Sequence, residues 1–402
     1  MSERQKAQFA HRLASETCAA ALAALSAPND QHNDSMLLDS LISDYRGFLT
    51  LIYSAVTKIA LSLKPSDPAY SASFTPLKDL ASYVDSLTSC ACCVDENLHG
   101  KTISNEIKWA TTEVVTAVQA LLSEFFTDDT QTTGSDSKAY LTRVGAVHEI
   151  IDRARGVSSC NREAVRKRWE ANTTGLQDGV EEVIEMMEAD GDRPAATLDN
   201  PEGDEANDEW GEFGLHGEKA TDAELVRLKF TLSLLKMTHA LHKRVLSSFL
   251  DPSSATAPRN LAELMSPHVL DNMMARSGEL VAASDELVAA LDPPQDTMSL
   301  SACLTSFRST VNLMGEILIT FSFTSQVKRD EVPHLPGIDG ESLNDRMGAM
   351  NLQSDKGAKE VESSAEIKRA VKERKWFDFC LAQILKSCQQ AIDASASKQD
   401  GK

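Results

Sequence analysis

Apolar residues recur at steps of three and four along most of this 402-residue chain, and this spacing constrains its fold more than any other feature. Such steps place apolar side chains on one face of an α-helix, whereas a half-buried strand would show strict alternation. No such alternation is sustained in the sequence. The stripes predict an all-α fold of long amphipathic helices, packed as antiparallel bundles where short loops join them.

Turn-forming and capping residues mark where the predicted helices begin and end. A stripe from Leu77 to Leu98 stops at Gly100, as expected of a helix-terminating residue. Thr221-Asp222-Ala223-Glu224 is a capping box, in which the Thr and Glu side chains satisfy free amide groups at a helix start. A later helix starts at Ser266-Pro267. Its stripe contains Leu270, Met273, Ser277, Leu280, Ser284, Leu287 and Leu291.

An acidic tract interrupts the helical pattern near the middle of the chain. From Glu181 to Glu224 there are 16 acidic residues against two basic ones, so this stretch carries −14 of the net charge of −20. Its later part is rich in Gly and Pro and has little apolar surface with which to offset the entropy cost of ordering. The predicted divisions are an amino-terminal helical bundle at 1–189, an acidic flexible linker at 190–220 and a second bundle at 221–395, which contains a flexible loop at 329–362.

Composition excludes several classes of function. The net charge of −20 argues against a phosphate-binding surface, so we expect no direct binding to nucleic acid. The eight cysteines are scattered through helical sequence and no secretory signal precedes them, which predicts reduced thiols in an intracellular protein. No run approaches the roughly 20 apolar residues that span a bilayer, so we expect no membrane insertion.

Two clusters of metal-ligating residue types are interpreted as structural residues: the cysteines as buried or semi-buried packing residues, and the histidines as packing or partly exposed ones. Cys90, Cys92 and Cys93 form a Cys-x-Cys-Cys pattern on a helix, which points the thiols in different directions, whereas zinc sites use paired ligands presented from turns. His239 and His242 are three residues apart, but no third ligand lies at the required spacing. We predict no metal and no cofactor.

Three further motifs are weak. Gly100-Lys101-Thr102 mimics the end of a phosphate-binding loop, but Asp95 stands where the upstream Gly is required, so the motif is interpreted as a helix boundary. Asn172-Thr173-Thr174 is a formal glycosylation sequon within a predicted helix. The basic stretch Lys368–Lys375 fits a solvated helix face better than a nuclear-import signal. Nothing in the sequence assembles a nucleophile, a base and an orienting group, so no catalytic residue is predicted.

The acidic tract contains the candidate site residues Asp208, Glu209, Trp210, Glu212 and Phe213. Aromatic residues anchor interfaces and acidic residues steer basic partners, whereas flexible acidic linkers seldom carry aromatic residues. This pattern predicts a partner-binding segment. Docking of the same segment onto the helices of its own chain is an equal alternative.

Three short stretches resemble the cyclin-D-binding protein family, whose members are helix-loop-helix-like cell-cycle regulators. They are Thr57-Lys58-Ile59-Ala60-Leu61, Gly100-Lys101-Thr102-Ile103 and Gly179-Val180-Glu181-Glu182-Val183. The resemblance implies two helical bundles related to vinculin- and talin-type modules, no catalytic residues, and binding to cyclin-like or helix-loop-helix regulators in cytoplasm and nucleus. The alternative is a vinculin- or talin-like cytoskeletal or signalling adaptor.

Overall fold

The computed structural model consists of helices and the turns between them throughout the part of the chain that it describes. The described residues are 1–27, 36–64, 67–126, 139–191, 220–251, 266–330, 371–372 and 374–393. The all-α prediction is confirmed, while the antiparallel bundle arrangement stays a prediction. Among the described helices, none is both long and apolar enough to cross a membrane.

Ten α-helices are numbered here in chain order. The first six are α1 Glu3–Ser26, α2 Leu38–Ser62, α3 Tyr70–Cys92, α4 Lys101–Leu122, α5 Ala139–Ala154 and α6 Asn161–Gly191. The remaining four are α7 Asp222–Val245, α8 Pro267–Ala289, α9 Thr297–Asp330 and α10, residues 374–393. A π-helical turn, Leu246–Leu250, continues α7.

Capping boxes begin two of these helices. At the start of α7, the Thr221 hydroxyl accepts a hydrogen bond from the amide of Glu224, and the Glu224 carboxylate accepts one from the amide of Thr221. This confirms the cap predicted from the sequence. Ser2 and Gln5 form the same reciprocal pair at the start of α1. Each box satisfies amide groups that the first turn of a helix leaves without a partner.

Helix α3 is shorter than its apolar stripe predicts. It ends at Cys92, and Leu98 lies exposed in the following turn. The carboxylate of Asp95 accepts hydrogen bonds from the amides of Asn97 and Leu98, at 2.7 and 2.9 Å. An Asp that binds the backbone two and three residues ahead stabilises a turn instead of a further helical turn.

The first of two compact units comprises Met1–Val165 and Ser266–Asp271. Within it, α1 packs against α3 and α4, α2 packs against α3 and α5, and α4 packs against α5. The predicted stripes supply the core of this unit. Fully buried members include Ile52, Val56 and Ile59 of α2 and Leu77, Val84 and Leu87 of α3.

The second unit comprises Arg166–Met265 and Asn272–Lys402. Within it, Trp169 of α6 stacks on His242 of α7, and Phe249 of the π-helical turn lies 5.3 Å from Phe377 of α10, measured between ring centroids. The predicted divisions at 189, 220 and 395 stay predictions, because residues 192–219 and 394–402 lie outside the described residues.

Candidate interaction surfaces

The predicted partner-binding residues Asp208, Glu209, Trp210, Glu212 and Phe213 lie outside the described residues. Their role therefore stays a prediction. The described part of the chain shows where the other motifs lie, which partners they bind within the protein, and which side chains are exposed.

The start of α4, where Gly100-Lys101-Thr102 mimics a phosphate-binding loop, is occupied by a carboxylate of the same chain. Asp271 accepts hydrogen bonds from the amide of Lys101 at 2.6 Å and from the amide of Thr102 at 3.0 Å. It also accepts one from the Thr102 hydroxyl at 2.7 Å. A helix amino terminus attracts anions because its free amides point outward and its dipole is positive there. Here Asp271 is that anion, and the interpretation as a helix boundary is confirmed.

Asn161 completes the cap of α4. Its side-chain oxygen accepts a hydrogen bond from the amide of Ile103 at 3.0 Å, and its amide group donates one to Asp271 at 3.1 Å. Gly100 has φ +110°, and a Cβ at that position would lie 2.1 Å from Cγ of Asn161. Glycine is therefore required here both for its backbone conformation and for the space that Asn161 fills.

The Cys-x-Cys-Cys cluster packs against the protein as predicted. Cys90 is buried and donates from its thiol to the carbonyl of Leu41, while Cys92 and Cys93 are half-buried. Burial raises the pKa of Cys90 to about 12, so its thiol stays protonated at neutral pH and is a poor nucleophile. No group of three His, Cys, Asp or Glu side chains among the described residues is arranged to hold a metal ion.

His242 is the centre of a buried polar network in the second unit. Its ring stacks on Trp169 with centroids 4.1 Å apart, and the indole N–H of Trp169 donates to the His242 carbonyl at 3.0 Å. The ring nitrogens lie 2.9 Å from the hydroxyls of Thr173 and Ser277. The prediction of packing or partly exposed histidines is confirmed, since His242 is buried and His239 is half-buried.

The partners of the network fix the tautomer of His242. The Thr173 hydroxyl donates to the carbonyl of Trp169, so it accepts from Nδ1–H of His242. With the proton on Nδ1, Nε2 of the neutral ring accepts from the Ser277 hydroxyl, which itself accepts from the Asn172 side chain at 2.7 Å. Burial lowers the pKa of His242 to about 3, which keeps the ring neutral. Asn172, the acceptor of the formal sequon, is thus committed to an internal hydrogen bond.

Trp109 is the large aromatic side chain that α4 presents to solvent, with 63% of its surface exposed. The charged side chains beside it on the helix are engaged within the first unit. Lys108 pairs with Glu96 at 3.0 Å, and Glu113 pairs with Arg153 at 3.5 Å. The exposed indole of Trp109 is therefore flanked on α4 by two charged side chains, Lys108 and Glu113, that form ion pairs within the first unit.

A comparison with known protein families finds a match for part of the chain. Residues 46–189 match the family described as Grap2 and cyclin-D-interacting, N-terminal. These residues are therefore similar to that family, and residues 46–189 are called the Grap2 and cyclin-D-interacting region below. The resemblance to cyclin-D-binding proteins is therefore confirmed, and its three quoted stretches all lie within the matched residues. A comparison with curated proteins finds no match.

The Grap2 and cyclin-D-interacting region contains two tryptophans, and they have different environments. Trp169 is fully buried in the His242 network, whereas Trp109 is exposed. Single exposed apolar residues are common on protein surfaces, so exposure alone does not define a site. Tryptophan is nevertheless the residue type most enriched among interface anchors. Its position inside the matched region makes Trp109 the candidate anchor of the described surface.

Proposed function

We propose that this chain is a non-enzymatic regulatory module that binds other proteins, acting in cell-cycle or transcriptional control in the cytoplasm and nucleus. The observation that carries the proposal is the match of residues 46–189 to a family described as cyclin-D-interacting. That family is not known as a family of enzymes. A D-type cyclin is accordingly the first partner to test.

The chemistry of the described residues supports a binding role. The amide groups that begin α4 are bonded to Asp271 and Asn161, and the ring nitrogens of His242 are bonded to hydroxyls inside the second unit. Burial also raises the pKa of Cys18 and Cys388 to about 12. These particular groups are thus committed to packing and capping.

The proposed contact to the cyclin is made by the exposed face of α4 around Trp109. A rigid helix that carries one large aromatic side chain suits a groove on a partner, since little side-chain entropy is lost when the indole is buried. Lys108 and Glu113, beside Trp109 on this helix, already form ion pairs within the first unit, which favours one arrangement of their side chains. A binding surface held in place before the encounter has a smaller ordering cost.

Binding of the purified full-length chain to a purified D-type cyclin tests the proposal by calorimetry. We expect Trp109→Ala to weaken binding at least about 30-fold, because truncation of an anchor residue costs about 2 kcal/mol or more. The matched control is Phe9→Ala on α1, an aromatic residue that is 53% exposed and lies outside the matched region. Phe9→Ala should leave the affinity unchanged.

Two results would contradict parts of the proposal. Failure of the wild-type chain to bind any D-type cyclin would remove the cyclin as partner. Equal effects of Trp109→Ala and Phe9→Ala would remove α4 as the contact face. Co-sedimentation with actin filaments, measured in parallel, would instead favour the cytoskeletal adaptor.

A further inference from the structure

Three lysines follow one another along a single face of α7. Lys229, Lys236 and Lys243 are seven residues apart and all exposed, and we name them the lysine stripe. A spacing of seven residues is close to two helical turns, so the ammonium groups recur along the helix about every 10 Å. This is a row of three exposed cations on a chain whose net charge is −20.

A shallow, open groove between side chains of α7 itself lies along the amino-terminal half of the lysine stripe. It has a volume of about 460 Å³ and is lined by Lys229, Leu232, Ser233, Lys236, Met237 and Ala240. The small side chains of Ser233 and Ala240 leave room between the lysines, and the half-buried Leu232 and Met237 provide apolar surface. The groove thus combines an apolar floor with two cations at its edges.

Some cations of the described surface are already paired with a carboxylate of the same chain. Lys6, Lys108 and Arg166 each pair with a Glu at 2.8, 3.0 and 2.7 Å, respectively. Among the described residues, none forms an ion pair with a lysine of the stripe. Like charges in a row repel one another, so an acidic occupant of the groove would be favoured electrostatically.

We propose that this groove is the docking site of residues 208–213 of the same chain, whose sequence is Asp-Glu-Trp-Gly-Glu-Phe. The three carboxylates of that segment face Lys229 and Lys236, and one of its two aromatic rings rests on Leu232 and Met237. The segment matches the groove in both respects, because it joins acidic and aromatic residues within six positions. The proposal concerns a face of the second unit and does not depend on cyclin binding.

The covalent connection favours this occupant over any other. Phe213 precedes the cap residue Thr221 by eight positions, which span up to about 26 Å when extended. Lys236 lies about 21 Å along α7 from its first residue. Eight residues are therefore long enough for the segment to reach the groove. A short tether also gives an effective concentration on the order of millimolar, which makes even a weak contact well populated.

Cross-linking of the full-length chain with a water-soluble carbodiimide tests the docking, because this reagent joins a carboxylate directly to a lysine amine. We expect peptides that join residues 208–212 to Lys229 or Lys236, in a yield that does not change when the protein is diluted. The cross-links should be lost in Trp210→Ala/Phe213→Ala, which removes the anchors and retains every reacting group. Lys78→Gln, at an exposed lysine of α3, is the control and should leave them unchanged.

Fluorescence of Trp210 provides a second readout, taken as the difference between the wild-type chain and Trp210→Phe. We expect its emission to shift to the red in Lys229→Gln/Lys236→Gln and at high salt, since the Debye length falls from about 10 Å at 0.1 M to about 3 Å at 1 M. A cross-link that disappears on dilution would show that a second copy supplies the segment. That result, or a solvent-exposed Trp210 at low salt, would overturn the proposal.

Discussion

Replacing Asp271 with Ala is the most informative single perturbation of the described structure. The carboxylate is bonded to the amides of Lys101 and Thr102, to the Thr102 hydroxyl and to the side chain of Asn161. Ala would leave the first turn of α4 without the anion that its amide groups surround. The helix should then fray at its amino terminus.

The expected cost follows from the kinds of bond that are lost. A hydrogen bond to a charged group contributes about 1.5–3 kcal/mol, but water replaces part of this wherever the donor remains accessible. The amide of Lys101 is accessible and Thr102 is only half-buried, so water compensates for much of the loss. Removal of a helix cap by itself costs about 0.5–2 kcal/mol. Asp271→Ala removes four bonds to a charged group at once, so its cost should lie at or just above the top of this range. We therefore expect the local free energy of opening at the start of α4 to fall by about 2–3 kcal/mol.

Hydrogen exchange measured by mass spectrometry isolates this effect at the start of α4. The chain has two compact units, so a single unfolding curve would mix their contributions. A local loss of 2–3 kcal/mol should accelerate exchange of the amides at Lys101, Thr102 and Ile103 roughly 30- to 150-fold. Asp285→Ala, at an exposed Asp on the same helix α8, is the control and should change exchange there less than twofold, about 0.4 kcal/mol. Unchanged exchange in Asp271→Ala would refute the assignment of Asp271 as the cap.

Three other perturbations have defined outcomes. The pKa of His242 is about 3 when folded and near 6.5 when unfolded, so its contribution is present above pH 6.5 and is lost as the pH falls towards 3. From pH 7.5 to 5.5 the free energy of opening of α7 should fall by about 1.4 kcal/mol more in the wild-type chain than in His242→Gln, measured by hydrogen exchange with the intrinsic pH dependence of the amide rates removed. His239→Gln should keep most of the wild-type slope. Gly100→Ala should cost about 2 kcal/mol or more by the same measurement, because its Cβ would meet Asn161. A thiol reagent should modify the exposed Cys160 first in the native chain, and Cys160→Ser should remove that fast phase.

The helices and two of their boundaries were predictable because the signals for them are local. Leu77, Leu80 and Val84 follow one another at steps of three and four residues, which places them on one helix face. Leu77 and Val84 are fully buried. The capping box of Thr221 and Glu224 is contained in one turn. Leu98 shows the limit of this reasoning, since its apolar side chain continues a stripe that the Asp95 turn has already ended.

The cap of α4 was not predictable in the same way. Asp271 lies 170 positions beyond Lys101, and no local pattern joins them. The His242 network, unlike the cap of α4, has a local signal in the sequence. Ser277 occupies a position in the apolar stripe of α8, and a polar residue on a buried face requires a hydrogen-bond partner. The sequence therefore indicated that a polar contact exists, while the identity of its partner depended on the packing of α7 against α8.

The central claim is that the Grap2 and cyclin-D-interacting region binds its partner through the exposed face of α4. Hydrogen exchange of the full-length chain, measured with and without a saturating D-type cyclin, tests it most directly. The account predicts slower exchange in peptides of Lys101–Leu122 that contain Trp109, and no such protection in Trp109→Ala at the same cyclin concentration. Protection confined to residues outside 46–189, or protection of α4 that persists unchanged in Trp109→Ala, would contradict it.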